Sequence, residues 1–277
     1  LSPHELSPDL GGTPQVRKRL FILATRNDND EKQPELTVRD YLDSIGTYSP
    51  EQWTISDFLR PNSVRENHLL REDEKMWLRA WQYFVKMIPQ DNLPGFPIWA
   101  DEWVHIDELK IPRGTPAWKE NFLIKNAEFY TNNKKLIDKW LKKHNNLESF
   151  PPSRRKLEWQ AQDAKSLTET IMHFRPSGIR AKKATYVPAL VAITQTSILG
   201  KQKRRITFRE GARLQGLPEW FDFLDQPNSQ TFKQLGNGVS VASMEGSNVG
   251  KHSASFNAFE LLRVTNKHQF GSGSKCF

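Results

Sequence analysis

Gln15-Val16-Arg17-Lys18-Arg19 leads straight into Leu20-Phe21-Ile22-Leu23-Ala24, and Asn27-Asp28-Asn29-Asp30 closes the stretch with turn-forming polar residues. The apolar run is continuous rather than alternating. A strand covered by helices on both faces reads this way, whereas a strand with one wet face alternates. The stretch therefore predicts a buried strand of an α/β sheet. Upstream, Gly11-Gly12-Thr13-Pro14 predicts a turn, and Ser7-Pro8-Asp9-Leu10 lengthens the approach to the strand. No other segment offers the repeated strand-helix units that such a sheet needs, so most of the sheet is expected to be encoded elsewhere.

Around that stretch, 277 residues with 37% hydrophobic side chains and a mean hydropathy of -0.67 suffice for one large or two modest cores. No run approaches the roughly 18 apolar residues that cross a bilayer, and Leu1-Ser2-Pro3-His4-Glu5 lacks both parts of a signal peptide. A cytoplasmic location with no membrane partner is expected. With Leu at position 1, the sequence reads as a processed or truncated chain. Cys276 is the only cysteine, which leaves no internal disulfide and no cysteine-rich metal site, so no metal is expected. Forty Lys and Arg against 32 Asp and Glu give a formal charge of +8 and a pI near 9.5. That balance favours nucleic acid as a partner, because neutralising phosphates releases condensed counterions. Charge alone leaves an ordinary basic enzyme equally open.

Residues 31–200 read as a separate domain, rich in Trp, Pro and Lys. A helix is expected over Glu72 to Ile88, with Met76, Ala80, Phe84 and Met87 on one stripe that Trp77, Trp81 and Ile88 widen. The prolines at 94, 97, 112 and 116 make Asn92 to Trp118 an ordered loop region with short strands. A second helix is expected over Ala127 to Leu147, with Leu136, Ile137, Trp140 and Leu141 opposite Lys135, Lys139, Lys142 and Lys143. Its basic side is either a phosphate-facing surface or a solvated helix face. Ser153-Arg154-Arg155-Lys156 leaves the same two readings.

Further on, Arg204-Arg205-Ile206-Thr207-Phe208-Arg209-Glu210-Gly211-Ala212-Arg213-Leu214-Gln215-Gly216-Leu217-Pro218 predicts a short helix. Thr207 and Glu210 have capping-box spacing, Gly216 suits a left-handed cap and Pro218 blocks continuation. Arg205, Arg209 and Arg213 recur every four residues, either to contact DNA or as solvated arginines of a scaffold helix. In Ser229-Gln230-Thr231-Phe232-Lys233-Gln234-Leu235-Gly236-Asn237-Gly238-Val239-Ser240-Val241 a helical turn is expected to break at Gly-Asn-Gly. Glycines flanking Asn237 would let backbone approach a ligand, although most such tripeptides are plain turns.

In this order and at these separations the three segments resemble the last conserved motifs of bacterial-type DNA cytosine-5 methyltransferases. Gln15 to Arg19 is similar to the family's Gln-x-Arg-x-Arg motif. Arg205 to Pro218 is similar to Arg-x-x-Thr-x-Arg-Glu-x-Ala-Arg-Leu-Gln-Gly-x-Pro, and Gln234 to Val239 to Gln-x-Gly-Asn-x-Val. Phe174-Arg175-Pro176-Ser177-Gly178-Ile179-Arg180, leading into Thr185 to Ile198, looks like the close of the family's target-recognition domain. The resemblance implies an α/β fold with an incomplete Rossmann-like methyltransferase domain, of which only the late strand and helices are present, plus an irregular mixed α+β target-recognition domain. Residues 1–30 would hold the late strand, 31–200 the recognition domain, and 201–277 the return to the catalytic domain with a Gly/Ser-rich tail.

The resemblance also implies chemistry. In the family a Pro-Cys cysteine attacks C6 of a flipped cytosine, a glutamate engages N3, and C5 takes a methyl group from S-adenosylmethionine. Flipping is needed because the target carbon is inaccessible in a stacked duplex. Arg19 would reach the flipped base and Arg17 the nearby DNA backbone, with Gln15, Arg205 and Arg209 as further DNA contacts; a fixed guanidinium suits such work. Asn237, Gly238 and Val239 would border S-adenosylmethionine; family members often carry Ser where Gly238 stands, so only backbone contact carries over.

Three departures accompany the likeness. There is no Phe-x-Gly-x-Gly loop, no Pro-Cys nucleophile and no Glu-Asn-Val segment, and Cys276 sits in a Gly/Ser tail with nothing to favour its thiolate. No catalytic residue is therefore expected in this chain, which alone is expected to be inactive. After Met244, Glu245-Gly246-Ser247-Asn248-Val249-Gly250 is expected to break the closing helix, which Phe256, Phe259, Leu262 and Val264 could resume. The added residues 7–10 are the third. The functional readings are a carboxy-terminal portion that works with double-stranded DNA and a separate amino-terminal half, a fragment of a single-chain enzyme, or a catalytically inert sequence-specific DNA-binding module.

Overall fold

The computed structural model describes residues 1–20, 42–44, 46–59, 68–161, 163–190 and 196–248. In chain order they form β1 (Gln15–Val16), α1 (Glu72–Met87), β2 (Ile98–Trp99) and α2 (Ala117–Lys143). There follow β3 (Lys156–Gln160), β4 (Thr170–Arg175), β5 (Gly178–Lys183), β6 (Val187–Pro188), β7 (Ile198–Leu199) and β8 (Arg204–Arg205). The last elements are α3 (Phe208–Leu214), α4 (Asn228–Asn237) and α5 (Val241–Asn248). The fold is mixed α/β.

The chain divides into two compact units, one of Leu1–Leu59, Thr185–Ile193 and Phe208–Phe277, the other of Arg60–Ala184 and Thr194–Thr207. These bounds differ from the expected 1–30, 31–200 and 201–277: the chain revisits the first unit at Thr185–Ile193 and leaves the second between Thr207 and Phe208. Among the described residues no helix is long and apolar enough to cross a membrane.

In the first unit the opening residues fold tightly on themselves. The Ser2 amide donates to the Glu5 carboxylate at 2.6 Å, the Arg17 amide donates to Ser2 Oγ at 2.7 Å, and the Trp53 indole donates to the His4 carbonyl at 2.9 Å. The added residues 8–10 form a 3-10 turn closed by Gly11 at φ 71°. At Gly12 a Cβ would lie 1.9 Å from the Leu6 carbonyl oxygen, so only glycine permits this approach. β1 then pairs in parallel with β6, Gln15 opposite Val187. Of the expected strand over Leu20 to Ala24, Leu20 is 87% exposed and not in a strand, while Phe21 to Ala24 lie outside the described residues, as do Asn27 to Asp30.

α3 starts directly after Thr207 and buries Glu210, Gly211, Ala212 and Leu214. Gly216, at φ 74°, closes it: the Leu217 amide donates to the Ala212 carbonyl and the Gly216 amide to that of Arg213. This paired left-handed cap satisfies carbonyls that the helix end would otherwise orphan. α4 is seated against α3 where Gly211 leaves room, since a Cβ there would meet Leu235 Cδ1 at 3.0 Å. α4 runs on through Gly236 and Asn237 and breaks only at Gly238, whose amide donates to the Gln234 carbonyl at 2.8 Å. α5 continues across Gly246 to Asn248, against the expected break at Glu245. A helical glycine costs about 1 kcal/mol, which burial of Ala242 and Ser243 in the preceding turn can offset. Val249, Gly250, Phe256, Phe259, Leu262, Val264 and Cys276 lie outside the described residues.

The second unit holds a six-stranded sheet in the order β2-β3-β5-β4-β7-β8. Leu157, Trp159, Met172, Phe174, Ile179 and Ala181 join one core with Trp77, Trp81 and Phe84 of α1 and Ile137 and Trp140 of α2. Each large apolar side chain removed from water there contributes roughly 1.5–3 kcal/mol. The indoles find acceptors: Trp81 donates to the Arg154 carbonyl at 2.8 Å and Trp140 to that of Ala80 at 2.9 Å. Met76, placed on the buried stripe of α1 by its spacing, is 37% exposed, because the buried face centres on Trp77, Ala80, Trp81 and Phe84. α2 starts at Ala117, ten positions before the expected Ala127 and after Pro116. Its first half buries Asn126, which accepts from the Trp99 amide at 2.7 Å, and Asn133 interrupts the helical backbone at φ -118°, ψ 15°.

Candidate nucleic-acid and cofactor site

In the first unit the Gln-x-Arg-x-Arg segment meets the Gly-Asn-Gly turn through Arg17. Its guanidinium donates to the carbonyls of Gly236 and Gly238, each at 2.6 Å, and to that of Leu190 at 3.0 Å. Arg17 is 2% exposed, and burial, followed by the charge of Arg19, pulls its pKa down. The resemblance gave Arg17 to DNA; the structure spends its guanidinium on carbonyls of its own chain. Gln15 departs likewise, being fully buried with neither side-chain amide atom partnered. Its place in β1, opposite Val187, turns it inward.

Arg19 differs. Its side chain is exposed and, among the described residues, donates to the adjacent Lys18 carbonyl at 3.0 Å. Although Arg17 and Arg19 are two residues apart, the spacing that shares a strand face, β1 ends at Val16 and the backbone beyond is no longer strand.

The carbonyls gripped by Arg17 flank Asn237. Asn237 and Val239 are exposed, Val239 by 43%, and Gly238 is half-buried without a side chain between them. An open carboxamide beside an open apolar group and a bare backbone fits a ligand with both polar and apolar parts, such as S-adenosylmethionine. Beneath this edge the Gln215 side chain donates to the Leu235 carbonyl at 2.6 Å, the Val241 amide donates to the Gln215 carbonyl at 3.0 Å, and Thr13 Oγ1 donates to the Leu214 carbonyl at 2.7 Å. The Arg-Leu-Gln-Gly part of the long motif is thus a brace for the Gly-Asn-Gly turn.

The arginines of that motif are divided between the units. Arg209, in α3, donates to the Phe221 carbonyl at 2.6 Å and lies over the Phe223 ring, so it fastens a loop of its own unit. Arg205 lies in β8 of the second unit rather than on the helix, and its guanidinium forms a two-pronged pair with Glu74 at 2.6 and 3.0 Å. Burial raises the Glu74 pKa, but hydrogen bonds from Arg205 and the Arg71 amide, together with their charges, bring it below the ordinary glutamate value. Both arginines were expected at DNA; in the structure each holds a partner within its own unit. Glu74 was missed, since nothing in its sequence surroundings points to a residue 131 positions away. Its sole local sign is an acid in the first turn of a helix.

Among the described residues no three His, Cys, Asp or Glu side chains gather in a metal-binding group. The family of C-5 cytosine-specific DNA methylases matches residues 6–247. The type II methyltransferase M.AluI of Cellulosimicrobium cellulans is 38% identical over an alignment of 317 residues, covering 87% of this chain and 61% of the relative. The type II methyltransferase M.AplI of Arthrospira platensis is 53% identical over 38 residues, 14% of this chain and 11% of its own length. The chain thus spans about three fifths of the length of the first relative. No solved structure matches.

Proposed function

The chain belongs to the C-5 cytosine-specific DNA methylases, and on that premise we propose that it grips double-stranded DNA and forms one wall of the S-adenosylmethionine site for methyl transfer to C5 of a flipped cytosine. The nucleophilic cysteine segment is not in this sequence, so the chain is the carboxy-terminal portion of the working enzyme and depends on an amino-terminal half. The second unit serves as the target-recognition domain, and the first as the late part of a Rossmann-like methyltransferase domain.

The observation that carries this reading is the Arg17 clamp. It joins two motifs some 220 positions apart, and leaves Arg19, Asn237 and Val239 open beside them. S-adenosylmethionine, when bound, supplies the methyl group. Asn237 and the backbone at Gly238 hold its polar end while Val239 offers apolar contact. Arg19, always charged, steadies the extruded base and its phosphate and so offsets an unstacking cost of a few kcal/mol.

The test mixes the purified chain with the amino-terminal half of a family member and follows labelled methyl from S-adenosylmethionine into duplex DNA. Transfer is expected only in the mixture, and Arg19→Ala is expected to cut it more than tenfold while changing DNA affinity less than threefold. Absence of transfer with several compatible halves, despite folding and DNA binding, would leave the inert DNA-binding module as the better reading.

A further inference from the structure

β1 ends at Val16, short of Arg19, yet the main chain from 17 to 19 is held at both ends. The Arg17 amide donates to Ser2 Oγ at 2.7 Å. The Arg19 amide donates to the Leu1 carbonyl at 3.0 Å, and the Leu1 nitrogen donates to the Arg19 carbonyl at 3.1 Å. Further back, the Thr13 amide donates to the Pro3 carbonyl at 3.1 Å. Residues 1–3 therefore run beside 13–19 in the opposite direction, with Leu1 at Arg19 and Pro3 at Thr13. The reversal between the two stretches is the tight approach that only glycine permits at position 12.

Ser2 lies at the centre of this contact. It is fully buried, and its hydroxyl is 2.8 Å from His4 Nδ1 as well as 2.7 Å from the Arg17 amide. An amide can only donate, so Ser2 Oγ accepts from Arg17 and keeps its own proton for Nδ1 of a neutral imidazole. Burial lowers the His4 pKa and Lys18 adds to the effect, against Glu5 and a hydrogen bond with the Gln15 backbone, so the neutral ring is favoured. His4 is fixed in turn: its carbonyl accepts from the Trp53 indole at 2.9 Å, and its ring stacks on Tyr186 with centroids 6.3 Å apart.

From this held backbone the two arginine side chains diverge. That of Arg17 goes to the carbonyls of Leu190, Gly236 and Gly238, and that of Arg19 is exposed. Ordering a long exposed side chain on a ligand costs rotamer freedom, and a fixed main-chain root keeps that cost from growing. We propose that Ser2, supported by His4, is a positioning residue for Arg19, fixing the main chain from which its guanidinium reaches the extruded base. The inference rests on the reading of Arg19 given above and extends it to a side chain too buried to touch DNA or cofactor itself. A misplacement of about 1 Å can cost roughly a hundredfold in rate, so a brace away from the reacting atoms is felt in turnover.

The test uses the full chain mixed with the amino-terminal half of a family member, and follows methyl transfer into duplex DNA. Ser2→Ala is expected to lower kcat about tenfold and to change the KM for S-adenosylmethionine less than about twofold. The discriminating measurement is the cycle with Arg19→Ala. Once the Arg19 side chain is gone, Ser2→Ala should cost less than about twofold more, whereas losses that multiply overturn the brace. His4→Phe, which keeps a ring against Tyr186 and removes Nδ1, repeats the cycle with Ser2 in place and an expected loss of about threefold. Hydrogen exchange of the chain by itself reads the same contacts. The Arg17 and Arg19 amides should exchange at least about tenfold faster in Ser2→Ala while melting curves show it folded, and unchanged exchange likewise overturns the brace. An unaltered chain that transfers no methyl with several compatible halves overturns the reading of Arg19 and this inference with it; transfer by the unaltered chain with multiplying losses overturns the brace alone.

Discussion

The Gly238 carbonyl accepts the Arg17 guanidinium at 2.6 Å across 221 positions of sequence. The Gly236 carbonyl shares the same nitrogen, so a single side chain holds both sides of Asn237. Arg17→Met is expected to lower stability by about 2–4 kcal/mol, because buried acceptors lose their donors. Arg17→Lys should recover only part, since one ammonium cannot reproduce the planar fork. Arg19→Ala should cost less than about 0.5 kcal/mol, as exposed positions do. Urea unfolding of the three variants checks this, and equal losses at 17 and 19 would contradict the clamp.

Glu74 and Arg205 form a pair whose carboxylate side chain is 4% exposed. Removing one partner strands the other, and Glu74→Ala is expected to cost about 3 kcal/mol. Because the folded Glu74 pKa is lowered, its contribution is present above about pH 4.5 and is lost as pH falls through the lowered value. Acid titration of stability should show a loss in that range which Glu74→Gln with Arg205→Met removes. A double variant with the same acid-dependent loss would disprove the assignment.

How much of this was legible in the sequence varies from residue to residue. The segments at 15–19, 204–218 and 234–239 are readable as motifs because their punctuation is local: Gly216 takes up its left-handed cap as expected. Which arginine points inward is not readable, since that depends on β1 ending at Val16 and on carbonyls far along the chain. α1 is legible to within a residue at its end because its apolar positions recur every three or four residues. The start of α2 is hidden because polar Asn126 and Asn133 face the protein interior, breaking that recurrence. The sheet order β2-β3-β5-β4-β7-β8 is not readable either, since it and the register are properties of the folded sheet.

Gly12 and Gly238 predict opposite tolerances. At Gly12 a Cβ would strike backbone, 1.9 Å from the Leu6 oxygen, whereas at Gly238 the closest atom, the Gln234 oxygen, would be 3.3 Å away. Gly12→Ala is expected to cost about 3 kcal/mol or more, and Gly238→Ser less than about 1 kcal/mol. Comparison of the two midpoints in denaturant tests this, and a silent Gly12→Ala would refute the described packing of residues 6–12.

His173 donates to or accepts from Ser197 Oγ at 2.7 Å, while its Nδ1 is buried without a partner. With the folded value near 4 against an ordinary 6.5, the unfolded chain takes up the proton first as pH falls. Stability should therefore decline from about pH 6.5 towards 4, by at most about 1.4 kcal/mol per pH unit. His173→Gln is expected to flatten that slope. A variant as steep as the unaltered chain would remove His173 as its source.

Parallel pairing of Gln15 with Val187 sets a timetable for biosynthesis. A ribosome adding about 5–20 residues per second reaches β6 roughly ten to thirty seconds after β1. The acceptors of Arg17 at Gly236 and Gly238 come later still. Meanwhile α1, α2 and β3 to β5, already made, can begin to assemble the second unit. During that wait Gln15 and Arg17 lack their later partners, and the segment they belong to is exposed to chaperones and proteases. A nascent-chain protection assay should find the opening segment to be one of the last parts of the molecule to become resistant.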